Sequence, residues 1–154
     1  MKVRPAKIED FPRMLEMLVD YGNSAPVECL RDADPGSEKR IFNIFANISL
    51  GGCLLLAVDE DDVAQGMLIA KIEPNTWAPF VNFLTELVFW VEPSHRQSGM
   101  GSALIKAYTE YGEKLVDAGL IEHYTMTVLW NSPDLHLERA GWTQFETTYI
   151  KGGI

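Results

Sequence analysis

The stretch ELVFWVEPSHRQSGMGSALI, residues 86–105, decides the fold. Its first six residues are rich in apolar and aromatic side chains and read as a strand, which must stop at Pro93 because proline has no N–H to give to a ladder. Two glycines follow, Gly99 and Gly101, and then Leu104, Tyr108, Tyr111 and Leu115 recur at helical spacing until Gly119 can close the helix. Backbone freedom is therefore concentrated where a strand hands over to a long helix. Glycines at that point let successive N–H groups converge before the positive end of the helix dipole, so an anion such as a pyrophosphate is a natural ligand. A simple corner remains open as a reading. The GxxxxGK[ST] pattern is absent, and GxGxxG would need a glycine where Leu104 stands.

Upstream, Val3 sits in a short first strand, and Ile8, Phe11, Leu15, Leu18 and Val19 predict an amphipathic helix running to about Tyr21, with Pro12 in its first turn. Residues 22–38 offer no clean period and read as a loop or broken short helices. Ser37 is placed to cap a second helix carrying Ile41, Ile44, Phe45 and Ile48, closed by Gly51 and Gly52. Segments 53–59 and 63–74 then read as a hairpin, and 75–83 as a loop whose Trp77, Phe80 and Phe83 either wall a pocket or cap the core. Downstream, 123–130 reads as a strand, 132–141 as a short helix and 142–151 as a last strand.

The order strand, two helices, three strands, helix, strand, helix, strand predicts an α/β (α+β) domain around a mostly antiparallel sheet, with residues 1–154 forming one domain. Apolar residues at 47% and charged ones at 23% fit an ordinary globular chain rather than a disordered one. A net charge of −9 disfavours nucleic acid and draws cationic partners, although solubility alone would account for it. Cys29 and Cys53 lack metal-ligand or redox spacing, so no metal and no disulfide are expected. The apolar run 53–58 is too short for a membrane span, and the N-terminus lacks a signal-like core; a cytoplasmic protein that avoids membranes is expected.

Val91, Glu92 and Pro93, then Ser94, His95, Arg96, the RxxGxG turn, the helix opening at Ser102, the later Asn131 and the pair Gly141 and Trp142 together resemble the GNAT family of N-acetyltransferases. VRPAKIEDFPRMLEML, residues 3–18, is similar to the family's first strand and helix. The resemblance implies a mixed sheet of about six or seven strands flanked by about four helices, with acetyl-CoA wedged between two splayed parallel strands. It implies that the backbone of Phe89, Trp90 and Val91 pairs with the pantetheine arm, that Arg96, Gln97, Ser98, Gly99, Met100 and Gly101 hold the pyrophosphate with Ser102 at the helix start, and that Asn131 contacts the cofactor. It also allows a homodimer.

The implied reaction needs a neutral amine, yet alkylamines have pKa values near ~10, so something must take a proton. Glu86 matches the position of an acid used as that base; the plainer alternative is an edge carboxylate that solvates or pairs with a lysine. Glu92, beside Pro93, is the runner-up and reads as a solvated turn residue. The family's usual acid for the leaving thiolate would stand four residues before Gly141, where this chain has Leu137. His136 is a substitute by proximity or simply a surface histidine, and Tyr124 and Tyr149 are further candidates. The expectation is thus acetyl transfer from acetyl-CoA to a cationic small-molecule or peptide amine, with a noncatalytic acyl-CoA-binding or protein-interaction module as the alternative.

Overall fold

The structure, a computed structural model, describes residues 1–26 and 36–152. Cys29 and most of the segment read as loop or broken helices lie outside the described residues. Strands β1 (Lys2–Pro5), β2 (Cys53–Val58), β3 (Ala64–Pro74) and β4 (Asn82–Val91) pair antiparallel in chain order, and β5 (His123–Thr125) adds parallel to β4. Helices α1 (Phe11–Asn23) and α2 (Glu38–Ser49) cover one face through Phe11, Met14, Met17, Ile41 and Phe45. Helix α3 (Met100–Asp117) covers the other through Met100, Leu104 and Tyr108. With both faces covered, every residue of β2 is buried, which is why CLLLAV is an unbroken apolar run and not an alternating one.

Local chemistry explains the helix ends. Ser37 accepts the Arg40 N–H at 3.3 Å as the cap of α2. At the far end of α3, Gly119 has φ +69° while its N–H meets Val116 O and the Leu120 N–H meets Leu115 O, the paired bonds of a Schellman stop. Helix α1 starts at Phe11, three residues later than the periodicity predicts. The Asp10 carboxylate is held by Arg4 Nη1 and the Lys7 N–H, each at 2.7 Å, which winds Ile8–Asp10 as a tight turn and leaves Ile8 facing solvent.

The mixed α/β class is as expected, but the C-terminal third differs. The described residues form five strands rather than six or seven, and three α-helices with short 3-10 turns rather than about four. Strand β4 begins at Asn82 rather than Glu86, since Asn82 to Thr85 already pair with β3. The predicted strand 123–130 shortens to β5, because its partner β4 bulges immediately after the rung Thr85↔Thr125. The helix read over 132–141 is only the 3-10 turn Leu137–Ala140. No strand forms over 142–151: Trp142, Phe145, Tyr149 and Ile150 fall three, four and one apart, so they cannot share the face that a period of two requires.

Candidate active site at the end of the parallel ladder

Strands β4 and β5 share only three rungs, Phe83↔His123, Leu84↔Tyr124 and Thr85↔Thr125. Beyond them β4 continues unaccompanied on that side to Val91. The cause lies in the register with β3, which passes from Ile69↔Val88 to Ala70↔Glu86 and leaves Leu87 as an extra residue. Such a bulge bends its strand and re-aims side chains. Leu84 packs with the α3-side cluster whereas Val88 and Trp90 pack with the α1/α2 side, a switch that strict alternation would forbid.

Glu86 sits at this point. It is 7% exposed, and the Thr127 N–H donates to its Oε2 at 3.1 Å, so a side chain takes the place of the ladder bond that the splay removes. Burial pushes the carboxyl up to about 7, against a smaller opposing effect of the Thr127 bond. A carboxyl that titrates there can hold or release a proton at neutral pH.

The main chain beyond the bulge is oriented by β3. Glu92 N–H bonds back to Gln65 O at 2.8 Å, so alternation turns the N–H and C=O groups of Phe89 and Val91 away from β3, into the splay. Trp90, paired with Met67, directs its main chain to β3 instead, so of the three residues expected along the pantetheine arm it is the one whose backbone is engaged. Its indole Nε1 is nevertheless buried with no partner among the described residues.

Next comes the turn. Pro93–His95 forms a 3-10 turn, Ser98 Oγ bonds His95 O at 2.6 Å, and Gly99 takes φ +87°, a conformation that only glycine adopts freely, as it caps α3. The N–H groups of Gly101 and Ser102 meet no acceptor among the described residues, and a Cβ at Gly101 would touch the Phe89 ring at 3.4 Å. Met100 is buried under the turn while Gln97 and Ser98 are exposed. Arg96 folds back, its Nε bonded to Val91 O at 3.1 Å and its guanidinium 4.7 Å from the centre of the Trp90 ring. Backbone N–H donors at a helix start, an arginine beside them and open main chain along β4 suit an extended ligand with an anionic end.

Other expected residues lie apart from Glu86. His136 is exposed, has φ +51°, and pairs through Nδ1 with Asp134 at 2.9 Å. Asn131 is exposed in a turn. Glu92 is not a solvated turn residue: Arg13 Nη2 holds it at 2.5 Å and ties β4 to α1. Tyr149 is exposed, and Tyr124 packs against Tyr108 and Trp142. Trp77 and Phe80 point into solvent, while Phe83 stacks on His123 at 5.2 Å.

Sequence reasoning missed Thr127 and Tyr21. Tyr21 stands edge-on to Trp90, with ring centres 6.4 Å apart, and its phenol lies near enough to Glu86 for that charge to raise its pKa, after burial as the larger cause. Its signal was present: Tyr21 continues the buried face Phe11, Met14 and Met17 at four residues, a polar-tipped ring at the end of a core stripe. Among the described residues no group of three metal-ligating side chains occurs, and no helix is long and apolar enough to cross a membrane.

A family model described as Acetyltransferase (GNAT) family matches residues 15–142. Solved structures with the same fold include an acetyltransferase from Trypanosoma brucei, 19% identical over 98% of both chains with a TM-score of 0.69. Glucosamine-6-phosphate N-acetyltransferase from Arabidopsis thaliana is 11% identical, with 98% of this chain and 97% of that one covered and a TM-score of 0.68. A transcriptional regulator from Bacillus halodurans is 16% identical over 98% of both chains, with a TM-score of 0.69. No curated protein sequence matches the chain.

Proposed function

Because the chain belongs to the GNAT acetyltransferase family, we propose that it is a single-domain enzyme that moves an acetyl group from acetyl-CoA directly to a primary amine. The observation that carries this is Glu86, buried where β4 leaves β5, held by Thr127 N–H and titrating near 7. The arrangement supports a base that accepts the amine's proton as nitrogen attacks the thioester carbonyl. Phe89 offers its N–H and C=O and Val91 its N–H along the splay, the Val91 carbonyl being taken by Arg96, and Gly101 and Ser102 offer N–H donors where a pyrophosphate would rest. Arg96 is anchored by its Nε on Val91 O and lies over the Trp90 ring, which keeps a cation beside that turn.

Direct transfer is favoured over a covalent acyl-enzyme. Among the described residues the free cysteine is Cys53, which is buried and pushed up to about 12, so it supplies no thiolate at neutral pH. The net charge of −9 favours a cationic acceptor: a small polyamine-like molecule, a lysine side chain or a protein N-terminus. Leu137, aliphatic where a proton donor is usual, supports a second reading as an acyl-CoA-binding module without turnover. Thiol release from acetyl-CoA, followed over a panel of amines and peptides alongside calorimetric CoA binding, tests both. Turnover on an amine supports the enzyme; saturable CoA binding with no release on any acceptor supports the module, and no binding at all overturns both.

A further inference from the structure

The bulge turns β4 aside after Thr85, and two ladder groups are left behind on β5. In an extended strand the C=O of one residue and the N–H two residues on face the same edge, so Thr125 O and Thr127 N–H are the acceptor and donor that a further residue of β4 would take up. Each instead meets a side chain. The Tyr108 hydroxyl donates to Thr125 O at 2.8 Å, and the Thr127 N–H donates to Glu86 Oε2 at 3.1 Å. The same hydroxyl lies 3.4 Å from Leu84 O of β4, so it spans the gap where the ladder gives out.

The aim of that hydroxyl is fixed. Tyr108 is fully buried, its ring stacked on Trp142 and edge-on to Tyr124, with centres 6.2 Å and 5.9 Å away. Burial pushes the phenol far above its ordinary value, so it stays a neutral donor throughout the pH range of the fold. Gly101 stands two turns earlier in α3, about 10 Å along the axis and on the same face as Tyr108. One helix therefore carries both the N–H donors at the glycine turn and the hydroxyl at the splay.

On the reading of Glu86 as the base, which this inference takes as its premise, we propose that Tyr108 is a positioning residue for Glu86: by holding Thr125 O between β4 and β5 it keeps the splay open and presents the Thr127 N–H to the carboxylate. With a hydroxyl in the gap, a main-chain N–H of β4 cannot reach Thr125 O, so the ladder cannot close past Thr85. Glu86 then keeps its place beside Thr127. The hydroxyl gives up no proton in this role. Two phenols feel the Glu86 charge from the elements around it, Tyr108 of α3 and Tyr21 of α1, and burial raises both, so neither is charged at neutral pH. The carboxyl itself is raised by burial and lowered by the Thr127 bond.

Loss of the hydroxyl should loosen Thr127 from Glu86 and remove the effect that opposes burial. In Tyr108→Phe, the isotope-labelled carboxyl resonance of Glu86, identified by its disappearance in Glu86→Gln, should titrate at higher pH than in the wild type. The acid limb of the kcat profile should move the same way, with kcat at neutral pH lowered about 10- to 100-fold, the scale of a small misplacement of a reacting group. 4-Aminophenylalanine at position 108 restores a neutral N–H donor and should return both readings to their wild-type values. A carboxyl that titrates at the wild-type pH or lower in folded Tyr108→Phe overturns the proposal. Where that variant does not fold, a displaced titration in the 4-aminophenylalanine protein overturns it instead. The resonance needs no turnover, so a wild type that transfers no acetyl group overturns the premise, and the titration still judges Tyr108.

Discussion

Glu86→Gln should make the protein more stable at pH 8 than the wild type and should lose that advantage near pH 4.5. The folded carboxyl titrates near 7 against an ordinary value of 4.5, so ionising it inside the fold costs about 3 kcal/mol at about 1.4 kcal/mol per pH unit. The sign follows from proton counts. Between these two values the folded state holds a proton that the unfolded state has released, so stability falls as pH rises through the window and levels off above 7. Below 4.5 the carboxyl is neutral in both states and contributes no difference.

Glutamine keeps an oxygen to accept the Thr127 N–H, and its unpaired amide N–H₂ adds a penalty of about 1 kcal/mol that does not vary with pH. The diagnostic is therefore the slope, not the offset. Urea unfolding at pH 5, 6, 7 and 8, followed by tryptophan fluorescence, should show the wild type losing about 2–3 kcal/mol relative to Glu86→Gln across the series. Asp10 and Asp62, whose carboxyls Arg4 holds below their ordinary values, lose their contribution only as pH falls below about 4 and so stay outside this window. Parallel curves for the two proteins would refute the buried, raised carboxyl and with it the case for Glu86 as a base. In turnover, the same group predicts an acid limb near pH 7 for the wild type, with Glu86→Gln slowed about 100-fold or more.

Gly101→Glu should leave a folded protein, since a Cβ at that position makes ordinary contacts, with the Phe89 ring at 3.4 Å and Val91 at 3.9 Å, but should abolish CoA binding by setting a negative charge at the helix start; calorimetry with CoA decides it. Gly112→Ala should destabilise by about 1–3 kcal/mol, because its Cβ would lie 2.6 Å from the Tyr124 ring and must displace β5 from α3; thermal unfolding reads the loss, and CoA affinity should fall with it. Arg4→Ala should destabilise the protein near neutral pH by leaving the half-buried Asp10 carboxylate without its cation, and the deficit should shrink as pH falls below about 4 and that carboxylate protonates.

The first two thirds of the fold were legible because each element carries its own period. Phe11, Met14 and Met17 in α1, Ile41 and Phe45 in α2, and the unbroken run of β2 each bury side chains at a spacing that names the element. The glycine turn was legible for a different reason: Gly99 at φ +87° is a position that other residues resist, so its identity reports its conformation. The C-terminal third carries no such statement. Trp142 is fixed by stacking on Tyr108 and meeting Tyr124 edge-on, long-range partners that no local window contains, while the residues after it lack a shared face.

The decisive local event at the site was invisible for a related reason. A bulge belongs to a pair of strands, and nothing in Glu86 or Leu87 announces that β3 will pair Ile69 with Val88 and then Ala70 with Glu86. Yet that slip does three things together: it ends the β5 ladder, turns Val88 and Trp90 to the α1/α2 side while Glu86 keeps the face of Leu84, and leaves a main-chain N–H at Thr127 for the carboxylate to accept. The same bond that holds the strand ends opposes burial in setting the Glu86 titration. Weakening the bulge, for instance by deleting Leu87, should therefore restore ladder pairing at the expense of the carboxyl's position, so that gained strand content would accompany lost acetyl transfer. A deletion variant that kept its activity would show that the bulge merely accommodates the chain and does not build the site.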